Sequence, residues 1–279
     1  MSLMDERTAV TPEPDLERVH PRKPVRGRAL WVIFGSLLLL GGLWWGTFNV
    51  VELIAHEERT ERFTVPATSL DRLFVDNATG SVTIVGTDSD EISVEAEVSE
   101  GLRRTGFRRE VVGSTLELRG SCPVIGSMWC RVTYRIELPR DLVVEVDSDN
   151  GRVGVSNVDG ALRIESDNGS IELSDVSGEI TVDSDNGRIS GRDLRSSVTN
   201  AGSSNGRIEL SYTEPPDSVT ASGDNGSIEV VVPEIESGYD VSTDSANGGD
   251  DILVNDNPES PHKIRLETDN GSITVNSGG

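Results

Sequence analysis

The chain has 279 residues, room for one large or two small domains, and is 35% hydrophobic but only 4% aromatic; that balance points to a core of Val, Ile and Leu held in strands. A formal net charge of -23 excludes a nucleic-acid partner, because phosphate binding needs clustered Lys and Arg.

Residues 1–28 are rich in charge and Pro and show no periodic apolar stripe, so they read as a disordered tail. Residues 29–51, "ALWVIFGSLLLLGGLWWGTFNVV", carry no charge, and a helix of that length spans a hydrocarbon layer of about 30 Å. The competing reading is a cleaved signal peptide. Its apolar region would be shorter, and "LIAHEE" lacks small residues at both cleavage positions, so a retained transmembrane helix is expected. Trp31 near one end, with Trp44 and Trp45 near the other, fits the interfacial belts. Gly42 and Gly46 form one GxxxG pair, which an ordinary span also contains. Arg18, Arg22, Lys23, Arg26 and Arg28 precede the span, whereas residues 52–62 hold four acids against Arg59 and Arg62. The basic flank predicts a cytoplasmic N-terminus and an extracellular C-terminal domain at the cell membrane, single-pass.

Residues 52–62 read as a juxtamembrane linker and 63–279 as one β domain, since no Pro, Gly or Ser-rich linker interrupts the latter. Within it "ISVEAEVS" and "STLELRG" alternate apolar and polar residues, as strands do. Cys122 and Cys130 bracket "PVIGSMW", and outside the cytosol such a pair is expected to be oxidised. So short a closed loop contributes about 2.5 kcal/mol in the chain-entropy account. A metal site would need further Cys or His nearby, and the segment's histidines are His56 and His262.

From residue 147 onward one turn recurs. Asn-Gly pairs fall at Asn150-Gly151, Asn168-Gly169, Asn186-Gly187, Asn205-Gly206, Asn225-Gly226, Asn247-Gly248 and Asn270-Gly271, in steps of 18, 18, 19, 20, 22 and 23 residues. Apolar residues follow most of these Asn at three and five positions, such as Ile171 and Leu173, with Ile189 alone in its unit. A second strand precedes each turn, seen in Leu162 and Ile164, Ile180 and Val182, Val198, Val219, and Ile264 and Leu266. Gly160 and Gly178 mark a different turn between them. An antiparallel meander would use hairpin turns interchangeably. One turn always at one corner instead predicts an all-β fold, a β-solenoid of stacked two-strand coils of 18–23 residues, in addition to the N-terminal helix. The Asn side chains are then expected to form a ladder at about 4.8 Å, with each corner Gly at positive φ.

The order "LFVDNATGSVTIVG", "STLELRG", "YRIELPRDLVVEVDSDNGRVGV" and the chain of "SDNGxI" units resembles the bacterial β-strand-repeat family known as putative adhesins, over most of residues 63–279. The resemblance implies a β-solenoid-like domain outside the cell and supplies no catalytic motif.

Four corners read acid-Ser/Thr-Asp-Asn-Gly, starting at Asp147, Glu165, Asp183 and Glu267. Stacked carboxylates about 4.8 Å apart repel by roughly 1 kcal/mol per pair even in water, and calcium would neutralise them. Arg152, Arg188 and Arg207, two residues after the Asn, are the alternative counter-charge, and no dedicated cofactor is expected. A polysaccharide-acting enzyme would need one unrepeated cluster, and a serine triad would have to use His56 or His262; an enzyme is not expected. Envelope-stress sensing would need the short tail to dock a partner. The expected function is therefore a membrane-anchored, adhesin-like binding or structural module, with an envelope glycan or protein as ligand.

Overall fold

The computed structural model describes residues 28–278, apart from 55, 102 and 124–128. The expected tail, residues 1–28, lies outside the described residues except for Arg28. The chain divides into two compact units, Met1–Asn49 and Val50–Gly279.

The first unit carries most of helix α1 (Arg28–Ile54). This helix is long and apolar enough to cross a membrane over Leu30–Thr47, and none of that window is buried. The linker expected at 52–62 is not one. Its start completes α1 and its end forms the first strand, because the alternation of "TERFTVP" continues back to Glu57 and gives that stretch a pairing partner in Glu91–Glu100.

The second unit is all β. Its first part holds, among the described residues, β1 (Glu57–Pro66), β2 (Arg72–Asn77), β3 (Val82–Thr87), β4 (Glu91–Glu100), β5 (Gly106–Val112), β6 (Thr115–Ser121) and β7 (Arg131–Pro139). Each Asn-Gly turn then joins two strands: β8 (Val143–Asn150) to β9 (Val153–Ser156), β10 (Leu162–Asn168) to β11 (Ile171–Ser174), and β12 (Ile180–Asn186) to β13 (Ile189–Leu194). The later pairs are β14 (Val198–Asn205) with β15 (Ile208–Tyr212), β16 (Ser218–Asn225) with β17 (Ile228–Pro233), β18 (Asp240–Asn247) with β19 (Asp250–Leu253), and β20 (Lys263–Asn270) with β21 (Ile273–Gly278).

Two large mixed sheets result. One runs β1-β4-β7-β3-β9-β11-β13-β15-β17-β21-β19 and the other β18-β20-β16-β14-β12-β10-β8-β2-β6-β5. Pairing is antiparallel only among β1, β4 and β7 and between β5 and β6. All repeat strands pair in parallel, with Leu162 opposite Val144 and Ile180, and Ile171 opposite Val153 and Ile189. An antiparallel meander is thereby excluded. Period-2 alternation sends these side chains inward from both sheets into one continuous Val, Ile and Leu core.

Three details depart from the sequence reading. In β14 the inward positions belong to Thr199 and Ala201, opposite Ile180 and Val182, while Val198 sits half-buried at the strand start. Ile189 lacks an apolar partner two residues on because Gly191 leaves a space that Leu194 fills after a register shift; a Cβ on Gly191 would lie 2.7 Å from the Leu194 Cδ1. The third departure is the order of the last two units. The units do not stack in chain order: β20 and β21 lie between β16, β17 and β18, β19. Burial explains the exchange. Inward positions of the inserted unit are Ile264, Leu266, Ile273 and Val275, all buried, whereas the outer unit offers Val241, Thr243, Asp250 and Ile252 in the same registers. The more apolar pair of strands takes the place covered on both sides. Asp244, Asp250 and Asp251 then blunt the exposed edge against further strand addition.

Candidate functional site

The parallel register turns each position of the repeated turn into a column. Asn168 accepts at Oδ1 from Nδ2 of Asn186 at 3.2 Å, and the bond repeats from Asn205 to Asn186, Asn225 to Asn205 and Asn270 to Asn225 at 3.1 Å, and from Asn247 to Asn270 at 3.2 Å. Nδ2 of Asn150 donates instead to the carbonyl of Ala78 at 3.3 Å, below the ladder. These amides are exposed. The less exposed groups of the turn are the hydroxyls two residues earlier: buried Ser203 and Thr268 and half-buried Ser245 donate to the carbonyls of Gly187, Gly226 and Gly271 at 3.2, 3.1 and 2.9 Å.

The corner glycines are required for a reason other than the one expected. Of the seven, Gly151 and Gly226 adopt φ of 146° and 153°. The column instead stacks so closely that a Cβ on Gly169 or Gly187 would lie 1.7 Å from the carbonyl oxygen of Gly151 or Gly169. Left-handed residues occur at the opposite corner, where Asn157, Asp175 and Asp193 have φ of 57°, 55° and 53°, a conformation that Asn and Asp tolerate best after Gly.

Beside the Asn ladder stand the acids. Asp147, Glu165 and Asp183 are direct register neighbours, with Asp76 next to Asp147. The column then breaks at Gly202 and Ser222 and resumes with Glu267 and Asp244. A second column runs through Asp149, Asp167 and Asp185, is interrupted by Ser204, and resumes at Asp224 and Asp269. The small residues open a groove of about 280 Å³ walled by Asp183 on one side and by Asp224, Glu267 and Asp269 on the other. Asp183 leans into it, since a Cβ on Gly202 would meet its Oδ2 at 2.2 Å.

Partial burial pushes the carboxyls of Asp147, Asp149 and Asp183 above the ordinary range, reinforced by neighbouring carboxylates: Asp76 and Glu165 on Asp147, Asp167 on Asp149, and Asp185 on Asp183. The arginines read as counter-charges serve elsewhere. Arg152 pairs with Glu172 at 3.5 Å and Arg207 with Glu209 at 3.3 Å, both on the other sheet, and Arg188 has no ion pair among the described residues. Arg163 reaches the ridge through Glu165 and partly offsets the charge on Asp183.

The three raised carboxyls fix a pH dependence. Between the ordinary carboxylate pKa and their raised values the folded chain holds more protons than the unfolded one, so stability falls as pH rises through that window. Asp240, held low first by its hydrogen bond to Arg265, acts below the window. The denaturation midpoint is therefore expected to rise on going from pH 7 to about 4.5, and Asp149→Asn to remove part of the difference.

Among the described residues no three His, Cys, Asp or Glu side chains converge to hold a metal ion. Cys122 and Cys130 are joined in a disulfide, Cα atoms 5.7 Å apart. His262 places Nδ1 2.8 Å from the carbonyl of Pro216 and 3.8 Å from Asp217, and His56 places Nε2 3.3 Å from Glu58.

No protein-family model and no curated protein matches the chain. It is similar to three solved structures: a "putative cell adhesion protein" from Clostridium sporogenes (15% identity, 80% of this chain and 100% of that one, TM-score 0.40), a "putative adhesin" from Bacteroides fragilis (15%, 79% and 97%, 0.39) and a "putative adhesin" from Parabacteroides distasonis (11%, 78% and 97%, 0.42).

Proposed function

We propose that the chain is a single-pass, N-terminus-in envelope protein whose repeats form a β-solenoid displayed outside the membrane as an adhesin-like binding module, with no catalytic role. The observation that carries this reading is the acidic ridge with its groove. The parallel register holds two rows of carboxylates side by side at an electrostatic cost. A cationic ligand group entering between Asp183 and Glu267 relieves that repulsion, so the ridge favours a basic protein surface or an amine-bearing glycan.

Two measurements test it. External protease on cells with a permeabilised outer envelope is expected to degrade the C-terminal domain and spare an N-terminal tag. Capture from envelope extracts by the full chain is expected to fall several-fold for Asp183→Asn with Glu267→Gln. Protection of the C-terminus refutes the topology, and undiminished capture refutes the ridge.

A further inference from the structure

The charge of the second unit is strongly polarised. Residues 140–279 hold 28 acidic and nine basic residues, whereas residues 57–139 hold 14 and ten. The strands nearest α1 in the chain are thus close to neutral, and several of their arginines are free. Arg103 and Arg104, between β4 and β5, are exposed and have no ion pair among the described residues, and the same holds for Arg131 at the start of β7.

Of these arginines Arg131 lines a cavity of about 160 Å³, together with His56, Glu58, Ser99, Trp129 and Cys130. The imidazole of His56 stacks on the Trp129 indole with centroids 4.6 Å apart. The disulfide to Cys122 pins the residue next to that indole. Thr105 donates its hydroxyl to the carbonyl of Ser99 at 2.7 Å, tying the Arg103 and Arg104 loop to the cavity wall. The indole Nε1 is buried and has no acceptor among the described residues, an arrangement that costs about 1–3 kcal/mol unless a partner arrives. Glu58 is the one carboxylate lining the cavity; it lies 3.3 Å from the His56 Nε2 and its side chain is 73% exposed.

On the anchor reading of α1, chain connectivity bounds how far His56 lies from a bilayer. The uncharged run ends at Val51, α1 ends at Ile54, and His56 follows two residues later. At about 1.5 Å per helical residue and at most about 3.6 Å per extended one, His56 is held within the thickness of a headgroup layer. Trp with one apolar face and an N–H to satisfy is the side chain favoured at that depth. Arginine with a neighbouring N–H donor suits phosphate oxygens.

We propose that this cavity takes the phosphate of a phospholipid headgroup and seats the base of the β unit on the membrane surface. The inference rests on the anchor reading of α1.

The test uses the full chain with Trp31, Trp44 and Trp45 replaced by Phe, which leaves Trp129 as its one indole. The chain is reconstituted into vesicles of phosphatidylcholine and phosphatidylglycerol brominated on the upper acyl carbons, and into matched brominated vesicles of a phosphate-free galactolipid. Retention of the protein in both reports on the anchor. Trp129 emission is expected to be blue-shifted and quenched in the phospholipid, with most of the quenching lost in the galactolipid and in Arg131→Glu. Retention with equal quenching in both lipids, or with none, overturns the headgroup site while leaving the anchor intact. Failure of retention overturns the anchor itself. A matching shift produced in detergent by inorganic phosphate alone would show a free-anion site and overturn the lipid assignment.

Discussion

Gly187→Ala is expected to destabilise the β unit by at least about 3 kcal/mol, well beyond the usual cost of a lost glycine. The added Cβ would lie 1.7 Å from the carbonyl oxygen of Gly169 and 3.0 Å from Oγ of Ser184. Neither is the end of a flexible side chain free to move. The strands on both sides would have to part, breaking the Asn186 amide bonds to Asn168 and Asn205. Gly154→Ala supplies the contrast. Nothing lies within 4 Å of its would-be Cβ, and glycine in a strand carries an entropic penalty, so this change is expected to be neutral or to stabilise by up to about 1 kcal/mol. Denaturant unfolding of the two variants checks the pair. Equal effects would show that the glycine column is not in close contact.

The second large effect is in the core. Ile164 is fully buried between Val146 and Val182 on the adjacent strands, and Ile164→Ala is expected to cost about 2–5 kcal/mol, the range for removing a large aliphatic from a packed interior. Ile252 holds the corresponding inward position in the outermost unit, opposite Val275, but is 37% exposed. Ile252→Ala is expected to cost less than about 1 kcal/mol, since much of its surface already meets water. A similar loss at both sites would mean that residues 240–253 are not the outer unit.

The strand pairs were legible because the turn repeats at nearly constant spacing and the apolar residues keep step with it. Another signal was equally regular and passed unread: Val158, Val176, Leu194 and Tyr212 recur at 18 residues and are all buried. They sit at the opposite corner, where alternation breaks and a search for period 2 finds nothing. Ser184 and its equivalents were hidden for a related reason. In "SDNG" the buried hydroxyl lies among polar residues that are themselves exposed, and only the pleat distinguishes them. Acids at Asp147, Glu165 and Asp183 could be read directly, and so could the missing acid in "NAGSSNG". That the gap forms a groove depends on which strands adjoin. The exchange of the last two units was not legible, because every unit carries the same corner chemistry and any neighbour satisfies it. The choice was made by the inward residues, where Asp250 and Thr243 stand against Ile273 and Leu266.

The central claim is that the repeats stack in parallel and in register, with residues 263–278 inserted before 240–253. Cysteine pairs at the corners read this directly. Adjacent strands are about 4.8 Å apart, within disulfide reach, whereas strands two places apart are about 9.6 Å apart and beyond it. In the full chain oxidised under mild conditions, Asn225→Cys with Asn270→Cys is expected to form a bond detectable by peptide mass, and Asn225→Cys with Asn247→Cys to remain reduced. Cross-linking of the second pair and not the first would place the units in sequence order and contradict the account, and cross-linking of neither would contradict the stack itself.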